Sequence, residues 1–385
     1  MTISWRMGVV LLGLAAGAAA AENVIKIASV SPLSGNQAAL GEMIKLGAQV
    51  ALEDAQARFA AKGWRVELLP QDDQATPDVG VAVAKRLVND PNVLGIVGHF
   101  NSGVAIPASE VYKDYQLAMV SPANTNPKVT ERRYPNVNRV CGRDDVQGPV
   151  GAEFAVKELK AQRIFVIQDK TAYGQGVAEA FRDKAKALGA KVVGFVGTEE
   201  RSNFQSLILQ IKVLNPDLIY LGGIYDQGGV LVKQMREKGV KAIFMGPDGF
   251  DSAEFAKIAQ ASAVGVHYTT VAGPVEQYPA AKAFADRFQQ RFNKAPESFA
   301  LYAHDSAVVI LAAVEAALEK NGGKLPTRAQ VSAAVREVMV TGITGAIAFD
   351  SKGDRKTSDY YVMRLDEPSY PGKAVKVISA APPGS

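Results

Sequence analysis

The chain has 385 residues, of which 48% are hydrophobic and 21% charged, with a formal net charge of +4 and a single cysteine, Cys141. That length supports two domains with cores of their own, and the composition is that of an ordinary globular protein. The charge is spread without a Lys/Arg block, which argues against nucleic-acid or membrane-surface binding, and one cysteine excludes both an intramolecular disulfide and a cysteine-based metal site.

At the N-terminus Arg6 precedes an apolar run from Met7 to about Leu14, followed by small residues up to Ala21 and then Glu22. A charged start, a short apolar stretch and an Ala-rich end are the features of a cleaved export leader, so residues 1–21 are expected to be a signal peptide cut near Ala21. The apolar run is short for a membrane span of about 20 residues. The mature protein is therefore expected in the periplasm, with Cys141 as a small buried hydrophobe.

The remaining chain alternates strands and helices. Residues 24–30 alternate as a strand, and Ser31-Pro32-Leu33-Ser34-Gly35 turns into a helix over 40–59. A strand over 64–69, a helix from Pro77 to about Asn89 and a strand over 93–97 follow. Asn101-Ser102-Gly103 opens a helix to about Asp114, and 117–120 is the next strand. This β-α-β order predicts a parallel sheet wound with helices. After a short extended run at 137–140 comes Cys141 to Gly148, read as a connector. A second series then runs from a strand at 163–168 to a strand at 265–270, with helices over 174–188, 204–214, 228–238 and 252–259. Helices over 279–292, 299–320 and 327–338, the last capped by Thr327, precede two short strands at 346–349 and 359–365. The tail beyond is expected to be loose. The predicted fold class is α/β, with two Rossmann-like lobes of parallel sheet flanked by helices.

Two hydroxyl-rich turns, at Asn101-Ser102-Gly103 and Ser121-Pro122-Ala123-Asn124-Thr125, follow two strands expected to be neighbours. The carboxyl edge of an open α/β sheet is where ligands bind, and helix N-termini there suit a carboxylate. His99 is the one residue in these turns with catalytic habits, and a structural imidazole is the weightier reading. The three histidines make no metal-ligand spacing. No dinucleotide fingerprint, phosphate loop or nucleophile elbow is present. Holding a solute, without cofactor, metal or catalysis, is the expectation.

Read together, SPLSG from Ser31, Gly98-His99, SPANTNP from Ser121, CGRDDVQG from Cys141, DKTAYGQG from Asp169, YLGG from Tyr220, FMGPDG from Phe244 and FDSKGD from Phe349 resemble the periplasmic leucine/isoleucine/valine-binding proteins of ABC transporters. The resemblance spans the mature chain and implies two lobes joined by a three-strand hinge, with the ligand caught between them. It implies lobes of about 22–143 with 272–351, and 144–271 with 352–385. It implies a monomer that binds an amino acid, branched-chain or aliphatic, and passes it to a membrane ABC permease. An amide, urea-type or aromatic acid ligand is the alternative.

By the same resemblance Ser102 and Thr125 meet the α-carboxylate with help from the backbone of Ala123, Tyr173 closes over the ligand, and Asp248 holds the ammonium. The side-chain end departs from the family pattern. Leu40 and Ile224 stand where aromatics are usual, Tyr225 is next to Ile224, Phe100 flanks the site, and Asn101 and Ala75 replace a cysteine pair found in some members. Asn124 is more polar than the usual alanine and is expected to select a polar ligand. Simpler roles compete: Ser102 and Thr125 as helix caps, Asp248 as a turn residue in Gly-Pro-Asp-Gly, and Tyr173 as packing. Arg143-Asp144-Asp145 reads as a salt-bridged knot that shapes the hinge.

Overall fold

The computed structural model describes residues 23–384; the expected leader, residues 1–21, lies outside them. The first lobe is built on five parallel strands. In chain order it runs β1 (Val24–Ser31), α1 (Ala38–Ala60), β2 (Arg65–Asp72), α2 (Pro77–Leu87), β3 (Val93–Gly98), α3 (Ser102–Asp114), β4 (Ala118–Ser121), the short α4 (Lys128–Glu131) and β5 (Val137–Arg139). β3 and β4 are apolar and buried along their whole length because helices cover both faces of the sheet. The spatial order is β2-β1-β3-β4-β5.

The second lobe repeats the plan. It contains α5 (Asp144–Glu153), β6 (Arg163–Gln168), α6 (Ala172–Ala187), β7 (Lys191–Gly197), α7 (Gln205–Leu214), β8 (Leu218–Gly222), α8 (Tyr225–Glu237), β9 (Ile243–Gly246), α9 (Ala253–Ala259) and β10 (His267–Thr270). The chain then returns to the first lobe with α10 (Ala281–Phe292), α11 (Ser298–Lys320), α12 (Arg328–Glu337) and the hairpin β11 (Val340–Gly342) and β12 (Gly345–Ile347). It crosses back to add β13 (Ser358–Arg364) and β14 (Lys373–Ala380) antiparallel to the second sheet, whose order is β14-β13-β10-β9-β8-β6-β7. The run β7-β6-β8-β9-β10 has the same order as the whole first sheet, so the halves share a topology although their sequences show no repeat.

α11 is apolar around most of its circumference, as its sequence foretells, and it packs against α1, β3 and β4. Its crossing with α1 is close because Gly47 lacks a side chain: a Cβ there would lie 2.1 Å from the Ala300 carbonyl oxygen. Thr327 caps α12 as expected, accepting from the Gln330 N–H while the Gln330 side chain accepts from the Thr327 N–H.

Two elements differ from the sequence reading. The connector after Cys141 is largely helical: α5 begins at Asp144 and runs on through a π-helical turn to Glu158. Gly148, Pro149 and Gly151 disguise it by interrupting the helical apolar pattern, yet Gly148 is what lets α5 lie against α6, since a Cβ there would meet the Phe181 N and Val177 O atoms at 2.8 and 3.0 Å. The tail is ordered as β14, an edge strand whose residues alternate in exposure. Lysines at 373 and 376 and a serine at 379 break the apolar signal, as edge strands commonly do.

Candidate functional site

The carboxyl ends of the two sheets face each other across a cleft. In the first sheet the loops after β1, β3 and β4 meet at the point where strand order reverses, which is where open α/β sheets hold ligands. In the second, the loops after β6, β8 and β9 lie opposite. Phe100, Asn101 and Ala123 from the first lobe and Tyr173, Ile224, Asp248 and Gly249 from the second line a narrow closed seam with about 10 Å³ of room, enough for about one water.

The first-lobe wall is held by buried polar groups that do not face the cleft. Asn124 Oδ1 accepts from the His99 N–H at 3.0 Å and from the Ser121 hydroxyl at 2.7 Å, and its Nδ2 donates to the Phe100 carbonyl at 2.8 Å. Asn124 thus ties the turn after β3 to the turn after β4. Its side-chain bonds are all spent on the protein, so the expectation that it selects a polar ligand is corrected. His99 is fully buried, 2.8 Å from an Asp73 carboxylate oxygen and 3.1 Å from the Tyr112 hydroxyl, a structural imidazole as read.

Ser102 stands at the first position of α3, buried, its hydroxyl accepting from the Asn126 N–H at 3.3 Å. Thr125 Oγ1 is buried and makes no well-formed hydrogen bond. It caps nothing.

Across the cleft, Tyr173 donates its hydroxyl to Asp248 Oδ1 at 2.6 Å and accepts from the Gly249 N–H at 2.8 Å. Tyr173 and Asp248 are therefore a linked pair, and Asp248 also opens the one-turn 3-10 segment Asp248–Phe250. Asp248 is 3% exposed, and burial lifts its carboxyl to about 6 although Tyr173 and Gln147 pull the other way.

Three functional candidates escaped the sequence reading. Asp144, at the start of α5, is 1% exposed and neither carboxylate oxygen makes a well-formed hydrogen bond, although the Thr125 hydroxyl lies beside it; burial, reinforced by the nearby Asp248 charge, holds its carboxyl well above the ordinary range while Thr125 pulls the other way. The Tyr220 hydroxyl and Gln147 Oε1 are also buried and unpartnered. Asp144 was concealed by its neighbours. Arg143 and Asp145 do form the expected knot: Arg143 pairs with Asp145 at 2.6 Å, Asp354 at 2.7 Å and Glu131 at 2.8 Å. Asp144 lies between them, but successive helix residues point about 100° apart, and it faces the other way. That angular separation was the available signal.

The remaining expected residues divide. Phe100 and Ile224 line the space, with Phe100 edge-on to Phe299 at 5.9 Å between ring centres. Tyr225 sits behind Ile224, its hydroxyl donating 2.6 Å to the Asn36 carbonyl of the other lobe. Leu40 is wholly buried at the start of α1. Among the described residues no group of three or more His, Cys, Asp or Glu side chains is placed to hold a metal.

The arrangement offers a helix N-terminus and hydroxyls at one end and two carboxylates at the other. Such a set binds a small molecule with opposite charges at two ends. A family model described as periplasmic binding protein matches residues 24–371. An "Amino acid binding protein" of Pseudomonas aeruginosa is 37% identical over 352 residues, 91% of either chain, and the "Leucine-specific-binding protein" of Salmonella typhimurium is 34% identical over 361, covering 93% of this chain and 94% of that one. The crystal structure of a leucine-binding protein from Thermotoga maritima superposes with a TM-score of 0.83 at 28% identity, covering 92% of this chain and 98% of that one.

Proposed function

The chain belongs to the periplasmic binding protein family, whose members serve ABC transport by holding a solute and are not enzymes, and from that premise we propose that it captures a free amino acid with a short branched or aliphatic side chain between its lobes. The observation that carries the reading is the set of under-satisfied polar atoms around the cleft: Thr125 Oγ1, both Asp144 oxygens and the Tyr220 hydroxyl are buried without a well-formed hydrogen bond. Buried polar groups in native proteins are satisfied, and those that are not point to something that completes them. An α-ammonium group has three donors for Asp144, Asp248 and Thr125. The α-carboxylate then meets Ser102, the backbone of Ala123 and Thr125, and the N-terminal end of α3. Phe100 and Ile224 cover the side chain, and Tyr173 and Tyr225 close over it from the second lobe.

In this reading closure is a hinge motion about three connections, near residues 143, 271 and 351, and the closed monomer is what a membrane permease receives. Residues 1–21 direct export to the periplasm and are removed as the chain crosses the membrane.

The test is calorimetric titration of the ligand-stripped protein with leucine, isoleucine and valine, and with 4-methylpentanoate, which is leucine without its amine. Binding of an amino acid with loss of at least a hundredfold for the deaminated analogue is expected, because two buried carboxylates are then left without a cation. A response to benzoate, urea or a simple amide with silence from every amino acid would overturn the ligand.

A further inference from the structure

Away from the charged end, the wall of the space is formed by Phe100, Ile224 and Asn101. Two of these are apolar and one is not. Asn101 occupies the N-cap position of α3 with an extended backbone, where an asparagine ordinarily accepts a hydrogen bond from a first-turn N–H. It makes no such bond. Its amide is turned toward the mouth of α1 instead, where Nδ2 donates to Gln37 Oε1 at 2.7 Å. Asn101 Oδ1 is left buried from solvent with no partner.

Forgoing a cap and stranding an acceptor are both costs in the empty protein, and they fall on one side chain that lines the ligand space. Gln37 is itself buried at the start of α1, so the amide is held in place and is not free to swing out to water. A hydroxyl on the ligand side chain would satisfy Oδ1, whereas an aliphatic side chain of the same shape would seal the oxygen off unpaired. A site built to hydrogen-bond a ligand group rejects the analogue that lacks it far more strongly than a plain apolar pocket rejects an added hydroxyl.

We infer that Asn101 is a specificity determinant, and that the site takes a short hydroxyl-bearing amino acid of the threonine class in preference to its apolar isostere. This rests on the amino-acid reading of the site and refines it. The committed bonding of Asn124 leaves Asn101 as the polar side chain available at this wall.

The experiment is titration of the ligand-stripped full chain with L-threonine and L-valine, which have nearly the same shape, for the unaltered protein and for Asn101→Leu and Asn101→Ala. Threonine is expected to bind about tenfold or more tightly than valine, the ratio that one buried hydrogen bond supplies. Both substitutions should erase or reverse that ratio without abolishing valine binding; two variants guard against one failing to fold, and neither removes a capping bond. Valine binding as tightly as threonine to the unaltered protein, or a ratio unmoved by both substitutions, overturns the role of Asn101 alone. Failure of both amino acids, with binding of an amide or aromatic acid, overturns the amino-acid reading as well.

Discussion

Asp144 and Asp248 bring two carboxylates to one buried end of a cleft, each raised by the water it has lost, and Asp144 further by the Asp248 charge. Replacing either by asparagine keeps the shape and removes one ammonium partner. Asp144→Asn and Asp248→Asn should each weaken amino-acid binding by roughly 2–5 kcal/mol, measured by titration calorimetry. Binding needs the carboxylates ionised while the ligand amine stays protonated, so affinity should fall as pH drops below about 6, the value to which Asp248 is lifted. Stability of the empty protein runs the opposite way. A carboxyl whose folded value lies above its unfolded one binds more protons folded than unfolded between the two values, so stability falls as pH rises through that window. Asp144, Asp169, Asp226 and Asp248 are raised, and Asp251 and Glu297 reach about 7. His267, held below its ordinary value by burial, opposes them, and the lowered carboxyls of Asp72, Asp90, Glu110, Glu131, Glu153, Asp183, Asp354 and Asp366 oppose them only up to about the ordinary carboxylate range. Urea unfolding of the ligand-free protein should therefore show a falling midpoint from about pH 5 to 7. A midpoint that rises across that range would mean that these carboxylates are hydrated in the empty protein.

At the scale of elements, the site depends on a buried ionic staple where β5 leaves the first lobe. Arg139 is wholly buried, its Nε donating 2.5 Å to Asp354 Oδ1 and its Nη1 donating to the Asn124 and Asn126 carbonyls at 2.7 and 3.0 Å. Asp354 also accepts from Arg143 at 2.7 Å and from the Thr130 hydroxyl at 2.8 Å. One carboxylate near the third connection thus fixes the first connection and, through Arg139, the turn that carries Thr125. Asp354→Asn strands the buried Arg139 guanidinium, while Arg143 keeps Asp145 and Glu131, and should cost about 3–5 kcal/mol of stability, read from urea unfolding. This contact joins residues 215 apart in sequence, and no local pattern foretells it. The β-α-β order, the two lobes and the turns that carry Ser102 and Thr125 were legible because they rest on short-range apolar periodicity and on motifs at strand ends. α5, β14 and the inward turn of Asp144 were not, because Gly-Pro interruption, edge-strand lysines and flanking salt bridges each mask a local signal with a tertiary purpose. Asn124 was misassigned for a related reason: a residue can occupy a family's site position while its side chain is claimed by the backbone of a neighbouring turn.

For the whole molecule, the lobes meet in a closed arrangement held by few polar bonds. Tyr225 donates to the Asn36 carbonyl at 2.6 Å, and Asn126 Nδ2 donates to the Ala172 carbonyl at 2.6 Å; in each case the partners come from opposite lobes. Closure without a ligand buries the Asp144 and Asp248 carboxyls and leaves Thr125 and Tyr220 under-satisfied, so an empty closed form carries penalties that an ammonium removes. A ligand shifts such an equilibrium only by its differential affinity for the two states. Here that difference is concentrated in the second lobe's contribution to the site. Small-angle scattering should therefore show a larger radius of gyration for the stripped protein than for the protein saturated with amino acid. Tyr225→Phe and Asn126→Ala each delete one inter-lobe bond without touching the charged end. Each should lower affinity by about threefold to tenfold, the worth of one net hydrogen bond. The loss should lie in faster dissociation, because the bond forms only after the ligand is already on one lobe. The saturated radius should be unchanged. If instead the stripped protein is as compact as the saturated one and Tyr225→Phe alters neither rate, the lobes are closed at rest and the ligand enters by a local opening near Tyr225.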